Sequence, residues 1–469
     1  MKMSREEREG DEADQSITSS ASRDTSVEAT GDWMHGFAAE LFPICRSITG
    51  DGLRETLRRI QTRIPITVHE VPSGTAVLDW TIPDEWNIRD AWIKNARDER
   101  VVDFRSNNLH VVNYSVPVRA RMSLAVLRPR LHTLPDLPDW IPYRTTYYKH
   151  DWGFCLSQQQ LDQLTDGDYE VCIASTLAPG ALSYGELFIP GETEDEFLIS
   201  AHCCHPSLAN DNLSGVAVAV ALAQSVIKQS PRHSFRFLFT PGTIGAITWL
   251  ARNEARNNRI KQGLVLTCVG DPGPFTYKAS RHGSTPIDGA VAQALAESGT
   301  PHRVLDFSPV GYDERQFCSP GFNLPVGCFM RSQHGTFPEY HTSADNLSFI
   351  TPAALQESFD CLRRVVELIE SGRGFEQTHV RSTSSINAKR HGRFFRNLKP
   401  KGEPQLGKHG FYEAIGPHMI PALWVLNFSD GLHALDEIAA RAGLPFDSID
   451  KAADVLSALG LVKEVGASA

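Results

Sequence analysis

The fold of this chain is decided by residues 201–215, which read Ala-His-Cys-Cys-His-Pro-Ser-Leu-Ala-Asn-Asp-Asn-Leu-Ser-Gly. A short apolar run at residues 196–201 precedes them and predicts a buried strand that ends at His202. Asp211 follows at the start of a predicted helix, about residues 213–228. An imidazole and a carboxylate at one end of a strand are ligands that suit Zn²⁺. The same residues could equally be a strand-end histidine in ordinary hydrogen bonds and a helix-capping aspartate.

Strands and helices alternate after this segment. Apolar strand patterns cover residues 234–239 and 263–269, and helical patterns cover residues 244–258 and 352–371. This alternation predicts an α/β fold with a largely parallel sheet and helices on both faces. In such folds ligands bind beyond the carboxyl ends of the strands. The residues predicted to lie at those ends are His202, Pro241-Gly242 and Gly270-Asp271.

Two further segments place polar side chains where chemistry is possible. Residues 340–346, Tyr-His-Thr-Ser-Ala-Asp-Asn, put His341 in a loop before the last predicted helix. Residues 309–317, Pro-Val-Gly-Tyr-Asp-Glu-Arg-Gln-Phe, put Asp313 and Glu314 among apolar neighbours. An alternative for this acidic pair is the first turn of a helix, where backbone amides satisfy carboxylates.

These segments resemble motifs of zinc-dependent aminopeptidases of the leucyl-aminopeptidase type. Residues 211–215 resemble their Asp-Asn-Ala-Ser-Gly element, residues 313–317 their Asp-His-x-Pro-Phe, and residues 341–345 their His-Thr-x-x-Asp. The closer resemblance, over about residues 33–469, is to an uncharacterised aminopeptidase-like branch. It implies a phosphorylase/hydrolase-like zinc-exopeptidase core with a mostly parallel sheet, an inserted small β domain and a C-terminal winged-helix domain.

The resemblance and the composition along the chain together predict the domain boundaries. The expected segments are a disordered acidic tail (1–32), the catalytic domain (33–76 and 156–375), an inserted β-rich domain (77–155), a basic linker (376–407) and a winged-helix domain (408–469). Proline, aspartate and asparagine break the inserted segment into short strand-like runs. The short helical patterns after the linker have the size of a winged-helix module.

The resemblance implies a zinc site and also shows where this chain departs from it. His202, Asp211 and His341 take the positions of zinc ligands. Gly242-Thr243 stands where the aminopeptidases have a Glu-Glu pair, and Cys204 replaces the aspartate that orients the first histidine. A later aspartate ligand aligns with Thr267, and Asp271 is the nearest substitute. We therefore expect one zinc ion with an open fourth position.

The departures leave the catalytic base to be chosen from other acids. Glu314, beside Asp313, is the predicted base, because a carboxylate next to a metal can move a proton from water to a leaving amine. Glu339, two residues before His341, is the rival. Cys203, Cys204 and His205 could form a soft metal site, but core packing is favoured because no second cysteine cluster supplies further thiolates.

The leading functional prediction is a zinc-dependent hydrolase of aminopeptidase type that cleaves a peptide or small amide bond. A second hypothesis is a catalytically degenerate peptidase-like protein that binds a ligand without turnover, supported by the missing Glu-Glu pair. A third is a DNA-binding regulator that uses the winged helix. The glycines carry no phosphate-loop spacing, so no nucleotide cofactor is expected.

Charge and cysteine usage restrict partners and compartment. The 469 residues contain 46 Lys and Arg against 56 Asp and Glu, a net charge of −10. The last predicted helix carries Asp447, Asp450 and Asp454 against Lys451, which disfavours DNA phosphates. Nine scattered cysteines in apolar runs indicate reduced thiols, and the apolar run at 216–227 is too short for a membrane span. We expect a cytoplasmic protein, with no nucleic-acid or membrane partner, that could form a homo-oligomer.

Overall fold

The computed structural model describes residues 30–372, 392–415 and 419–466. Almost all of the predicted tail and residues 376–391 of the predicted basic linker lie outside these ranges. The first helix, α1, spans Gly31–Leu41, and the Thr30 hydroxyl caps it by accepting a hydrogen bond from the backbone N–H of Trp33. Ordered helix therefore begins inside the segment that was expected to be disordered up to residue 32.

The core of the molecule is an eight-stranded mixed sheet. Its strands in chain order are β1 (Thr67–Pro72), β2 (Ala181–Ile189), β3 (Glu196–His202), β4 (Ser234–Thr240), β5 (Ile260–Leu266), β6 (Phe275–Lys278), β7 (His302–Leu305) and β8 (Val326–Met330). They are ordered β1-β2-β4-β3-β5-β8-β6-β7. The central strands β4, β3, β5 and β8 are parallel, whereas β2 pairs with β4 and β6 pairs with β8 in antiparallel fashion. The predicted parallel arrangement thus holds at the centre of the sheet.

The central strands are apolar because helices cover both faces of the sheet. Every residue of β3 and β4 is buried, and their few charged side chains pair with each other, as Arg236 does with Glu196 at 2.6 Å. The longer helices are α1, α2 (Asp51–Gln61), α3 (Gly215–Ile227), α4 (Ile244–Arg252), α5 (Pro286–Ser298) and α6 (Pro352–Glu370). Helix α3, an Ala/Val-rich segment, is buried along almost its whole length.

The inserted β domain is built on a separate four-stranded antiparallel sheet. Its strands, in spatial order, are Arg100–Asp103, Glu85–Lys94, Asp168–Ala178 and Val118–Ser123. The strand Asp168–Ala178 lies beyond residue 155, in the range expected to belong to the catalytic core. After this strand the chain enters β2 of the main sheet. Smaller strands are Ala76–Val77, Trp80–Thr81, Leu131–His132 and Phe154–Cys155.

The C-terminal region has the helices and small sheet of a winged helix. Its helices are Phe411–Ile415, Met419–Phe428, Leu435–Ala442 and Phe446–Ala458, and its strands are Phe394–Asn397, Asp430–Ala434 and Val462–Val465. It packs on the core through Arg281, whose guanidinium donates to Asp430 at 3.0 Å and lies over the ring of Phe428. No helix in the described ranges is long and apolar enough to cross a membrane.

The described part of the basic linker uses its charges inside the molecule. Lys399 lies 3.2 Å from Asp79, and Lys401 pairs with Glu254. Arg393 bonds Asp450 and Asp454, two of the three acids of the last helix, at 2.8 Å. Lys399 and Lys401 therefore join this segment to residues before the C-terminal region, whereas Arg393 forms ion pairs within that region. All nine cysteines are free thiols, as expected.

Candidate metal centre

The candidate site is centred on the carboxylate of Asp211, which lies between two imidazoles. His202 Nε2 is 2.9 Å from Asp211 Oδ1, and His341 Nε2 is 3.0 Å from Asp211 Oδ2. His202 and Asp211 are buried, whereas the His341 side chain keeps 33% of its exposure. The structure thus brings together three of the four predicted metal ligands, with the partly open one on the solvent side.

A third imidazole belongs to this cluster. His202, His205 and Asp211 each offer a ligand atom, and these atoms lie within 4.8 Å of one another. The ring of His205 is also 5.2 Å from the ring of His341. The sequence favours core packing for His205. The available signal was its position three residues after His202, directly past the strand end, where a turn can bring both rings to one side.

The backbone around Asp211 is held by Asp345. The chain from Ala209 to Ser214 forms a wide helical turn in which Asp211 leaves helical backbone angles. The carboxylate of Asp345 accepts hydrogen bonds from the backbone N–H groups of Asn210, at 2.6 Å, and Asp211, at 2.9 Å. Burial raises the pKa of Asp345 to about 8, against the effect of these amides. Asp345 therefore positions Asp211, a role that the sequence signalled only by its place at the end of the His-Thr-x-x-Asp segment.

The loop that carries His341 is fixed by the inserted β domain. The N–H of Tyr143 donates to the carbonyl of His341 at 2.7 Å, and the N–H of Ser343 donates to the carbonyl of Ile141 at 2.8 Å. The ring of Tyr143 contacts the rings of His205 and His341 edge-on, each at 5.1 Å between centroids. Residues of the inserted segment, about 200 positions before His341 in the sequence, thus form one side of the site.

The protonation states of the cluster suit a divalent cation. Burial lowers the pKa of His205 well below its usual value, so its imidazole is neutral. Burial alone would raise the pKa of Asp211, but the surrounding imidazoles outweigh it and hold this pKa well below its usual range. The neutral imidazole of His205 does not compensate the buried negative charge of Asp211. This donor set fits Zn²⁺, which takes nitrogen and oxygen ligands of these kinds.

The position of the missing Glu-Glu pair is filled from another segment. A Cβ atom at Gly242 would overlap the phenol ring of Tyr312. That ring lies 4.0 Å from the ring of His202, and its hydroxyl is 3.9 Å from Cys204 Sγ. A larger residue at 242 would therefore have to displace Tyr312, which occupies the space beside the first histidine.

Asp271, the fourth predicted metal ligand, does not join the cluster. Its Oδ2 accepts hydrogen bonds from the Asn210 amide at 2.9 Å and the Ser332 N–H at 3.2 Å. Its Oδ1 accepts from the Ser332 hydroxyl at 2.7 Å and the Gly273 N–H at 2.8 Å. Because both oxygens are saturated by these donors, Asp271 supports the turn that carries Asp211 and offers no free ligand atom.

The predicted base lies in an ion pair. Glu314 is buried, pairs with Lys278 and also accepts a hydrogen bond from the Tyr312 N–H at 3.1 Å. Lys278 Nζ donates further to the carbonyls of Ser308 and Val310. Burial raises the pKa of Glu314, but Lys278 outweighs it, so the pKa is lowered. The ion pair with Lys278 therefore disfavours protonation of this carboxylate, and its role as the base stays a prediction.

Asp313 is buried next to Glu314 in a different situation. Neither of its carboxylate oxygens has a hydrogen-bond partner in the described part of the chain. Burial, followed by the charge of Glu314, raises the pKa of Asp313 well above its usual value. Among the contacts of the described residues, none joins Asp313 or Glu314 to the imidazoles of the cluster.

The chain matches two known families. A family described as "Domain of unknown function (DUF4910)" matches residues 35–372, and a winged helix-turn-helix family matches residues 393–464. The chain belongs to the first of these families, since the match covers more than half of it. The predicted C-terminal winged helix is confirmed.

Individual relatives agree with this class. A Clostridium acetobutylicum protein named as a "polysaccharide biosynthesis protein with aminopeptidase-like domain" is 48% identical over 442 residues, 93% of this chain and 97% of that protein. A crystal structure of a protein described as a peptidase from the same organism has a TM-score of 0.72 at 48% identity, covering 93% and 96% of the two chains. The recognised aminopeptidase-like relationship is therefore confirmed.

More distant structures share the fold. A zinc aminopeptidase from Bacillus subtilis has a TM-score of 0.54 at 13% identity, covering 75% of this chain and 98% of its own. A peptidase M28 precursor from Shewanella amazonensis has a TM-score of 0.52 at 14% identity, covering 75% and 95%. The predicted fold class, an exopeptidase-type α/β core followed by a winged helix, is confirmed by these matches.

Proposed function

We propose that this protein is a zinc-dependent hydrolase that cleaves a peptide or other small amide bond. The observation that carries the proposal is the position of Asp211, whose two oxygens lie 2.9 Å and 3.0 Å from the Nε2 atoms of His202 and His341. The fold is shared with a zinc aminopeptidase, and a relative at 48% identity carries an aminopeptidase-like domain by name.

One ion is the number that the donor set supports. His202, Asp211 and His341 would hold it, with His205 as a neighbouring donor. Gly242 and Thr243 supply no carboxylate, and Tyr312 fills the space beside them. When bound, Zn²⁺ polarises carbonyl oxygens and lowers the pKa of water.

The chain's own residues would then orient the amide and keep bulk water out. Tyr143 and Tyr340 flank His341, with Tyr340 stacked on its ring at 4.0 Å. Aromatic faces of this kind bind apolar side chains and sugar rings alike. The name of the relative at 48% identity refers to polysaccharide biosynthesis, so an N-acylated amino sugar belongs among the candidate amides beside peptides.

The proposal is tested by metal analysis of protein purified without chelators. We expect about one zinc per chain in the parent, because two buried donors and one half-buried donor converge. His202→Ala and His341→Ala should each lose most of the zinc, whereas His302→Ala, an exposed histidine at the start of β7, should retain it. No zinc in the parent, or full zinc in both site variants, would overturn the proposal.

A binding protein without turnover is the second candidate function. Gly242-Thr243, in place of an acidic pair, is the observation that favours it. The zinc-loaded parent should be screened against dipeptides, aminoacyl anilides and N-acetylated amino sugars. Release of amine that disappears in His341→Ala supports the hydrolase. Saturable binding of a substrate without amine release supports the second candidate. That the protein binds no nucleic acid stays a prediction, and so does its ability to form a homo-oligomer.

A further inference from the structure

Residues 202–205, His-Cys-Cys-His, contain a second histidine beside the one that the proposed zinc site uses. This second histidine, His205, is buried, and its ligand atom lies within 4.8 Å of those of His202 and Asp211. Its ring centroid is 4.9 Å from that of His202 and 5.2 Å from that of His341. The imidazole of His205 therefore lies next to both histidines that flank Asp211.

The thiol of Cys204 determines which nitrogen of His205 is available to a cation. Cys204 Sγ is 3.7 Å from His205 Nδ1 and 3.9 Å from the carbonyl oxygen of Gly242, which can only accept a hydrogen bond. The S–H group therefore donates to Gly242, and the sulfur accepts from the Nδ1–H group of His205. A neutral imidazole that is protonated on Nδ1 carries its free lone pair on Nε2. Nε2 is thus the nitrogen of His205 that is left for a metal ion.

The turn that carries His205 is held by two other parts of the chain. The buried guanidinium of Arg46 donates from Nε to the carbonyl of His205 at 3.0 Å and from Nη1 to the carbonyl of Leu41. The amide of Asn108, in the inserted domain, donates to the hydroxyl of Ser207 at 2.7 Å. Because these contacts fix the backbone, the His205 ring is positioned by protein contacts, as a metal ligand must be.

We propose that His205 is a zinc ligand through Nε2 and that Cys204 is the residue that positions it. The inference rests on the zinc binding of the proposed function and does not depend on hydrolysis. The donor set becomes three imidazoles, from His202, His205 and His341, and the carboxylate of Asp211, all of them groups that zinc takes. His205 then occupies the fourth position that the sequence leaves open, and a substrate atom would be a fifth ligand. A hydrogen bond to the second nitrogen of a ligand histidine is the usual way to orient such a ring.

The test is the zinc affinity of the full chain, measured by competition with a chromophoric chelator. Changes to orienting groups cost about 10–100-fold in affinity, so His205→Ala, which removes a ligand, should lose more than about 100-fold. Cys204→Ala should lose about 10–100-fold, whereas Cys204→Ser, whose hydroxyl can still accept from Nδ1–H, should stay close to the parent. Cys203→Ala changes the neighbouring buried thiol, which packs in the apolar core, and is the matched control with parent affinity.

A second measurement reports on the ligands themselves. The visible absorption of bound Co²⁺ depends on its donor atoms, so the spectrum of Co²⁺-loaded His205→Ala should differ from that of the parent. The spectra of Cys204→Ser and Cys203→Ala should match the parent. If His205→Ala melts well below the parent when both are free of metal, His205→Gln, which keeps most of the side-chain volume, takes its place in both measurements.

The outcomes separate this inference from the proposed function. Parent affinity and a parent Co²⁺ spectrum in the His205 variant would overturn the inference and leave the proposed function standing. A loss in Cys204→Ser as large as that in Cys204→Ala would overturn the positioning role of Cys204. A parent that binds zinc through His205 but hydrolyses no amide would refute the hydrolase and support this inference. A parent that binds no zinc would refute both.

Discussion

Two buried acidic regions lie near each other and behave in opposite ways. Asp211 lies between the imidazoles of His202 and His341, beside the ring of His205, which is neutral because burial lowers its pKa. Glu314 sits against the Lys278 ammonium, so its charge is compensated within the chain. Both carboxylates have a lowered pKa, but the contacts of Asp211 are imidazoles, which are metal-ligand groups, whereas the contact of Glu314 is an ammonium group. The partner of a buried acid, rather than its burial or its pKa, decides whether it is available for chemistry.

Asp313 provides a third case in the same comparison. It is the neighbour of Glu314, is equally buried, and its carboxylate oxygens have no hydrogen-bond partner among the described residues. Its pKa is raised, whereas the other two are lowered. The pKa of a buried carboxylate in this part of the fold thus depends on its partner. It is lowered next to imidazoles or an ammonium group and raised where the described residues offer no hydrogen-bond partner.

Replacement of Lys278 should cause the largest loss of unfolding free energy, because it removes the partner of Glu314. Lys278→Met leaves Glu314 as an unpaired buried charge, and such changes cost about 3–5 kcal/mol of unfolding free energy. Urea denaturation measures the loss, and Lys278→Met combined with Glu314→Leu should recover most of it. Zinc content should stay at the parent level in the double variant. A loss below about 1 kcal/mol in the single variant would show that the pair is not charged.

The support of Asp211 predicts a smaller effect on metal affinity. In the parent, Asp345 accepts hydrogen bonds from two backbone N–H groups. Asp345→Asn places an amide NH₂, which cannot accept, against one of them. Changes to groups that orient metal ligands cost about 10–100-fold in affinity, and we expect a loss of zinc affinity in that range. Competition with a chromophoric chelator measures it. Asp360→Asn, an exposed acid on α6, is the matched control and should leave the affinity unchanged.

Asp313 predicts the smallest change, and one of opposite sign. The pKa of Asp313 in the folded protein lies above its unfolded value of 3.8. As pH rises above 3.8, Asp313 ionises more readily in the unfolded chain than in the folded protein, which lowers the stability of the fold. Asp313→Asn removes this cost and should stabilise the protein by about 1 kcal/mol at neutral pH. Unfolding measured from pH 3 to 7 should show the gain growing with pH. Equal stability of the two proteins across that range would mean that Asp313 is paired by ordered water.

The sequence predicted the main elements, and three of the four residues predicted as metal ligands lie together in the structure. The strand that ends at His202 and the helix Pro352–Glu370 were predicted to within a few residues, because apolar periodicity is a local signal. The motifs at residues 211–215 and 341–345 pointed to His202, Asp211 and His341, which meet in space. His205 was assigned to packing, since a histidine beside two cysteines does not show which way its ring points.

The partners of Asp271 and Glu314 could not be predicted from the sequence, for one reason. A sequence shows that an acid lies near a strand end, but not which donors reach it. Asn210 and Ser332 saturate Asp271, and Lys278, which lies 36 residues before Glu314, neutralises that side chain. Each partner is distant in sequence, so its effect exists only once the chain has folded.

The sequence by itself determined the class of the protein, because strand and helix periodicity and short motifs are encoded locally. It also supplied the candidate metal ligands as residue types. Only the tertiary structure decided which acids are free. Availability depends on long-range contacts, such as Tyr143 holding the His341 loop and Tyr312 filling the space at Gly242. Buried charges interact strongly because the protein interior has a low dielectric constant. The identity of the group that contacts a buried acid therefore decides the chemistry of that acid.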